Sequence, residues 1–190
     1  TFLFREEQHQ LADHLKQPGK LVYFETPANP NMAILDIHAI AETAHKHGAL
    51  VAVDNTFASP INQKPLELGA DLVLHSASKY LGGHSDITAG ALMTSAELAK
   101  PVATWRKNLG QLIAPETAAL LSRSLRTLPV RIRQHNENAM AVAQAMEAHP
   151  KVTHVFYPGL PSFEGHDLAN KQMTGFGGML SIEVEGGQAA

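Results

Sequence analysis

A lysine, two serines and an aspartate stand in this sequence in an order that suits carbonyl chemistry. The run His75-Ser76-Ala77-Ser78-Lys79-Tyr80-Leu81-Gly82-Gly83 puts hydroxyls one and three residues before Lys79 and a glycine pair behind it. Asp54 ends a second apolar run, Leu50-Val51-Ala52-Val53, twenty-five residues earlier. An amine can form a Schiff base, hydroxyls can hold a phosphate, and a carboxylate can face a pyridinium nitrogen. Those are the groups that pyridoxal phosphate asks of a protein. Each also has an ordinary reading. A lysine after a strand is usually a solvated surface residue, an aspartate there caps a turn, and a glycine pair makes one. The order and spacing of all of them together carry the chemical reading.

The elements that must position these groups are legible as alternation. Leu21-Val22-Tyr23-Phe24, Leu50 to Val53, Leu72-Val73-Leu74 and Gly90-Ala91-Leu92-Met93 are short apolar runs that read as strands. Between the first two, Asp36 caps a helix with Ile37, Ile40, Ala41 and Ala44 on one face, closed by Gly48. Leu66 to Leu68 is a helical turn stopped by Gly69. Strands that alternate with helices and are almost wholly apolar predict an α/β fold, a mostly parallel sheet flanked by helices on both faces. In such sheets ligands bind beyond the carboxyl ends of the strands. Asp54, the segment Ser76 to Lys79, and the loop Glu25 to Asn29 all fall there.

From Ser95 onward helices dominate. Ser95 caps one running towards Leu109, with Pro101 as a kink or first-turn residue. Thr117 to Leu128 and Val130 to Ala148 read as two helices divided near Pro129. A strand from Val152 to Tyr157, a short helix from His166 to Met173 and a strand from Met179 to Val184 follow. This predicts residues 1–129 as part of a larger domain and residues 130–190 as the beginning of a smaller α+β domain, because two strands and a few helices do not close a core. Near the start, Phe4, Leu11 and Leu15 suggest a helix over Phe2 to Leu15. The chain opens on Thr1 without an initiator Met, and it is expected to be the central part of a longer protein.

Composition narrows the classes. The 190 residues are 44% hydrophobic and 17% charged, with net charge -3 and no block of like charge, so neither nucleic acid nor a membrane is expected as a partner. No apolar run nears the about 20 residues of a membrane helix. There are no cysteines, which removes disulfides and thiolate metal sites and makes a cytoplasmic location the default. The eleven histidines show no metal-ligand spacing. Arg123, Arg126, Arg131 and Arg133 cluster near the domain division and are expected to form helix-end and interdomain salt bridges.

The motifs resemble one family. Glu25-Thr26-Pro27-Ala28-Asn29-Pro30, Val53-Asp54-Asn55-Thr56-Phe57-Ala58-Ser59-Pro60, Pro65 to Asp71 and His75 to Asp86 are similar to those of the Cys/Met metabolism (trans-sulfuration) pyridoxal-phosphate enzymes. So are Ser124-Leu125-Arg126-Thr127-Leu128, Tyr157-Pro158-Gly159-Leu160 and Gly175 to Leu180. The resemblance implies the aspartate-aminotransferase-like fold (fold type I) and pyridoxal 5'-phosphate as cofactor. It implies Lys79 as the Schiff-base and catalytic lysine, in a desolvated site that keeps its amine partly neutral. It further implies Asp54 at the pyridine nitrogen, Ser76 and Ser78 at the phosphate, and Asn29 near the phenolic oxygen. Glu25 and Thr56 lie close by, with loop capping an equal reading. The implied activity is a carbon–sulfur lyase that eliminates at the γ carbon of methionine, cystathionine or a related sulfur amino acid. A cystathionine γ-synthase or O-acylhomoserine sulfhydrylase is the alternative, and an inactive truncated member a third. The family also implies a homotetramer built from dimers. It implies groups outside these residues as well: a glycine-rich phosphate loop, a stacking aromatic, a neighbouring subunit's Tyr and Arg, and an arginine for the substrate carboxylate.

Overall fold

The computed structural model describes residues 5–16 and 20–187; Phe2 and Phe4 of the expected first helix lie outside them. Residues 21–94 carry a four-stranded sheet. Strands β1 (Leu21–Glu25), β2 (Leu50–Asp54) and β3 (Leu72–Ser76) run parallel in that order, and β4 (Gly90–Thr94) closes the row antiparallel to β3. Register pairs Glu25 with Asp54, Asp54 with Leu74, and Ser76 with Gly90. The expected polar strand ends therefore lie side by side.

Helix α1 (Leu11–His14) and helix α2 (Ile37–Lys46) line one face of this sheet. Asp36 caps α2 by accepting from the Ala39 N–H at 2.9 Å, and Ile37, Ile40, Ala41 and Ala44 are buried at helical spacing. They pack on Val51, Val53 and Val73, with Val22, Phe24 and Met93 at the margin. Strand alternation sends these residues to one side and their neighbours to the other.

The other side departs from expectation. Helices were predicted on both faces, yet Leu21, Tyr23, Leu50 and Leu92 are 57%, 56%, 40% and 39% exposed, and no described helix covers them. Apolar strands signal two buried faces, but burial requires something to pack there. Glu25, Asp54 and Ser76 share the register parity of these residues, so they stand at the carboxyl end of the open face.

Beyond β4, helix α4 (Ala96–Leu109) buries no residue, and Pro101 lies inside it. Helix α5 (Pro115–Leu125) is followed by the long α6 (Leu128–Glu147). The break falls at Arg126 and Thr127 instead of at Pro129. Pro129 sits in the first turn of α6, where the missing N–H costs nothing. The short α3 (Ser59–Asn62) touches α6, and α6 carries the hairpin of β5 (Val152–Phe156) and β6 (Ser181–Val184), with α7 (His166–Gln172) between them. A second apolar cluster joins Met32, Ile34 and Ala58 to Ala139, Ala143, Tyr157, Leu160 and Met173. It spans both sides of residue 129.

Candidate active site at the strand ends

Asp54 is the most constrained group at this edge. Its Oδ1 accepts from the Thr56 N–H at 3.0 Å and from the Thr56 hydroxyl at 2.5 Å. Its Oδ2 accepts from the Tyr23 hydroxyl at 3.3 Å. Three donors fix the carboxylate's direction, as a fixed counter-charge requires. Thr56 does more than cap its loop. Its hydroxyl oxygen also accepts from the Ser76 N–H at 2.8 Å, which links the end of β2 to the end of β3.

Glu25 stands beside Asp54 in register, and its carboxylate accepts from the backbone N–H of Asn29. Burial raises the Glu25 pKa, the Asn29 bond takes part of that back, and the Asp54 charge adds to the rise. Asn29 itself is exposed. Its loop is anchored by a buried amide network in which Gln63 Nε2 donates to the Thr26 carbonyl at 2.9 Å and to Asn55 Oδ1 at 2.8 Å.

Lys79 rides on a tight turn after β3. Its N–H donates to the Ser76 carbonyl at 3.1 Å, and its carbonyl accepts from the Gly83 N–H at 2.7 Å. The lysine side chain is exposed, not desolvated as the resemblance implied, because the turn stands at the end of the open sheet face. Neither its amine nor the Ser76 hydroxyl is hydrogen-bonded to another described residue. The Ser78 hydroxyl is differently placed. It accepts from the Ala89 N–H at 3.0 Å and approaches the Ala89 carbonyl at 3.4 Å, so it holds the returning 82–90 loop while its proton has only a weak partner.

Two residues that sequence reasoning passed over, and one that it placed in a salt bridge, belong to this neighbourhood. Tyr23 reaches Asp54 because alternation puts it on the same face as Glu25; burial first, and the Asp54 charge next, raise its phenol pKa. His75 is 4% exposed, and its Nε2 has no hydrogen-bond partner. Burial pushes its pKa down to about 4, with Asp54 opposing part of the drop. Arg131 was expected in a salt bridge. It instead donates to three neutral oxygens: the Thr127 hydroxyl at 3.1 Å, the Tyr80 carbonyl at 2.8 Å and the Ser124 carbonyl at 3.1 Å. Among the described residues no group of three His, Asp or Glu side chains could hold a metal ion, and no helix is long and apolar enough to cross a membrane.

The donor set fits pyridoxal phosphate. A braced carboxylate ends β2, an unpaired hydroxyl ends the neighbouring β3, and the turn that follows bears an exposed lysine. An α/β domain with polar groups gathered at the carboxyl ends of three parallel strands defines a ligand-binding class of fold.

Comparison with known proteins narrows that class. The chain belongs to the Cys/Met metabolism PLP-dependent enzyme family, which it matches over residues 1–190. It is 49% identical over 170 residues to a cystathionine β-lyase of Lactococcus lactis subsp. cremoris, an alignment covering 89% of this chain and 45% of that protein. A crystal structure of cystathionine γ-synthase from Xanthomonas oryzae pv. oryzae, in complex with aminoacrylate and cysteine, superposes with a TM-score of 0.91 at 50% identity, over 95% of this chain and 47% of that one. Apo CalE6, a methionine γ-lyase from Micromonospora echinospora, gives 0.90 at 38% identity, over 94% and 50%. The chain thus spans about half the length of these relatives and shares their fold.

Proposed function

We propose that the protein containing this chain is a pyridoxal-phosphate enzyme that makes or breaks carbon–sulfur bonds in cystathionine-type amino acids. The observation that supports the reading is the braced Asp54 carboxylate at the end of β2 beside the turn after β3 that bears Lys79, in a chain of this family. Lys79 would hold the cofactor aldehyde, Asp54 its ring nitrogen and Ser76 and Ser78 its phosphate, with the Asn29 amide near its phenolic oxygen. When bound, the cofactor supplies an electron sink for charge developing at the substrate α carbon.

The chain's own residues would supply position and proton transfer. The Lys79 amine would take the α proton and then move a proton at the β carbon. This is general acid–base work by one positioned group, typically about 10²–10⁴-fold. Asp54, held by Thr56 and Tyr23, keeps its negative charge in one place throughout. Thr56 and Glu25 act through their neighbours, as braces of Asp54 and of the Asn29 loop.

Among the finer activities, γ-replacement, as in a cystathionine γ-synthase, is in keeping with the 50% identity to such an enzyme, as elimination is with the 49% identity to a cystathionine β-lyase. The γ-elimination reading rests on the segment Glu25 to Met32, which most resembles methionine γ-lyase. Full-length protein given cysteine plus an O-acylhomoserine should form cystathionine; release of 2-oxobutanoate and a thiol from methionine would favour elimination instead. The substrate is a small sulfur amino acid or an activated homoserine. A homo-oligomer and a cytoplasmic location complete the reading. Sodium borohydride should fix one cofactor per chain on the peptide carrying Lys79, and Lys79→Ala should abolish that mass increment. Label retained elsewhere after the substitution refutes the lysine assignment.

A further inference from the structure

Tyr80, the residue after Lys79, is held at both ends. Its backbone carbonyl accepts from Arg131 Nη1 at 2.8 Å, and its phenolic oxygen accepts from the Gly178 N–H at 2.7 Å. The ring between these points lies against His135, with centroids 5.4 Å apart. Burial raises the phenol pKa, and the Gly178 bond offsets part of the rise.

The far anchor is itself fixed. Gly177 donates its N–H to Asn136 Oδ1 at 2.8 Å, and its carbonyl accepts from the Tyr157 hydroxyl at 3.1 Å. Asn136 exchanges two side-chain bonds with Asn62, at 2.9 and 3.0 Å. At Gly177 φ is +81°, and a Cβ would lie 2.7 Å from the Phe57 carbonyl oxygen. Only glycine fits this turn. The Lys79 side chain, by contrast, has no bonded partner among the described residues, so its direction is set by the backbone turn that bears it.

We propose that Tyr80 is a positioning residue: a strut between the Phe176–Gly178 turn and the Lys79 turn that fixes the direction in which the lysine amine leaves the backbone. The inference rests on the assignment of Lys79 as the cofactor-holding lysine. Arg131 bears on the same residue from the α6 side.

The test uses full-length protein reconstituted with pyridoxal phosphate. Tyr80→Phe keeps the ring and removes the acceptor. Borohydride trapping on Lys79 should stay stoichiometric, while the visible circular dichroism of the bound cofactor, which reports its orientation, should change in amplitude. The kcat should fall about tenfold with KM within about twofold, the pattern of a reacting group slightly misplaced. Tyr157→Phe removes the other hydroxyl from the same turn without touching the Lys79 turn; with Asn136 still holding Gly177 in place, it should leave kcat and dichroism within about twofold of wild type. Wild-type dichroism and kcat in Tyr80→Phe overturn the proposal, and so does an equal loss in Tyr157→Phe, which marks the turn as merely structural. Absence of trapping on Lys79 in the wild-type protein overturns the lysine assignment and this inference with it. Should Tyr80→Phe not accumulate folded, Arg131→Lys, which weakens the other anchor, is expected to shift both readouts in the same direction; unchanged readouts there overturn the strut.

Discussion

At the scale of single residues, the edge that bears Asp54 is built from groups that restrain one another. The carboxylate is oriented by Thr56 and Tyr23, and Thr56 passes that order on to Ser76. His75 is the exception, a buried imidazole with an unpartnered Nε2. Its folded-state pKa, about 4, lies below the ordinary 6.5. The neutral form therefore belongs to the folded state, and the unfolded chain binds the proton first as pH falls. Stability is fully present above pH 6.5 and should decline between pH 6.5 and 4, by about 3 kcal/mol at most. Urea midpoints across that range should show the decline, and His75→Gln should flatten it; an unchanged slope in the variant would assign the pH dependence to other groups. The positions of Asp54 at the end of β2 and of Lys79 just beyond β3 were legible at this scale because each follows a short apolar run. Ser78's bond to Ala89 was not legible, since it depends on how the 82–90 loop folds back. Tyr23 was missed because a tyrosine in a strand is ordinary until register shows which carboxylate lies beside it.

At the scale of elements, the turn after β3 and the start of α6 are fitted together. Gly83 has φ +74°, and a Cβ there would lie 2.1 Å from Arg131 Nη1. Gly83→Ala must both enter the left-handed region and displace the guanidinium from the Tyr80 carbonyl. The two costs, about 1–2 kcal/mol for the backbone and about 1.5–3 for a charge-assisted bond, predict about 2.5–5 kcal/mol of destabilisation. Denaturant melts would measure it; a loss under about 0.5 kcal/mol, the size of an ordinary surface change, would show that the loop and α6 are not coupled. The strands and α2 were readable to within two residues because caps and alternation mark them. The break between α5 and α6 was misplaced because proline ends a helix in most positions but is welcome in a first turn. The arginine cluster was misread for a related reason: Arg131 lies against carbonyls that no sequence pattern reveals.

At the scale of the whole molecule, two apolar clusters do different work. One lies between α2 and the sheet, and the other joins the loop after β1 to α6 and the β5–β6 hairpin. The second cluster ties residues on both sides of 129. We therefore propose that the parts before and after α6 begins unfold together in the isolated chain, which a single calorimetric transition would report. The parallel sheet was legible from the runs, but its uncovered face was not, because a sequence shows which residues are apolar and not what lies against them.

That uncovered face gives the 190-residue chain the character of an amphiphile. One side is wetted by α2 and the charged loops, while the other presents Leu21, Tyr23, Leu50 and Leu92 to water. Like a surfactant, such a body should be dispersed when dilute and cluster above a threshold concentration. Sedimentation velocity over a dilution series should find that threshold, and Leu21→Lys with Leu92→Glu should raise it.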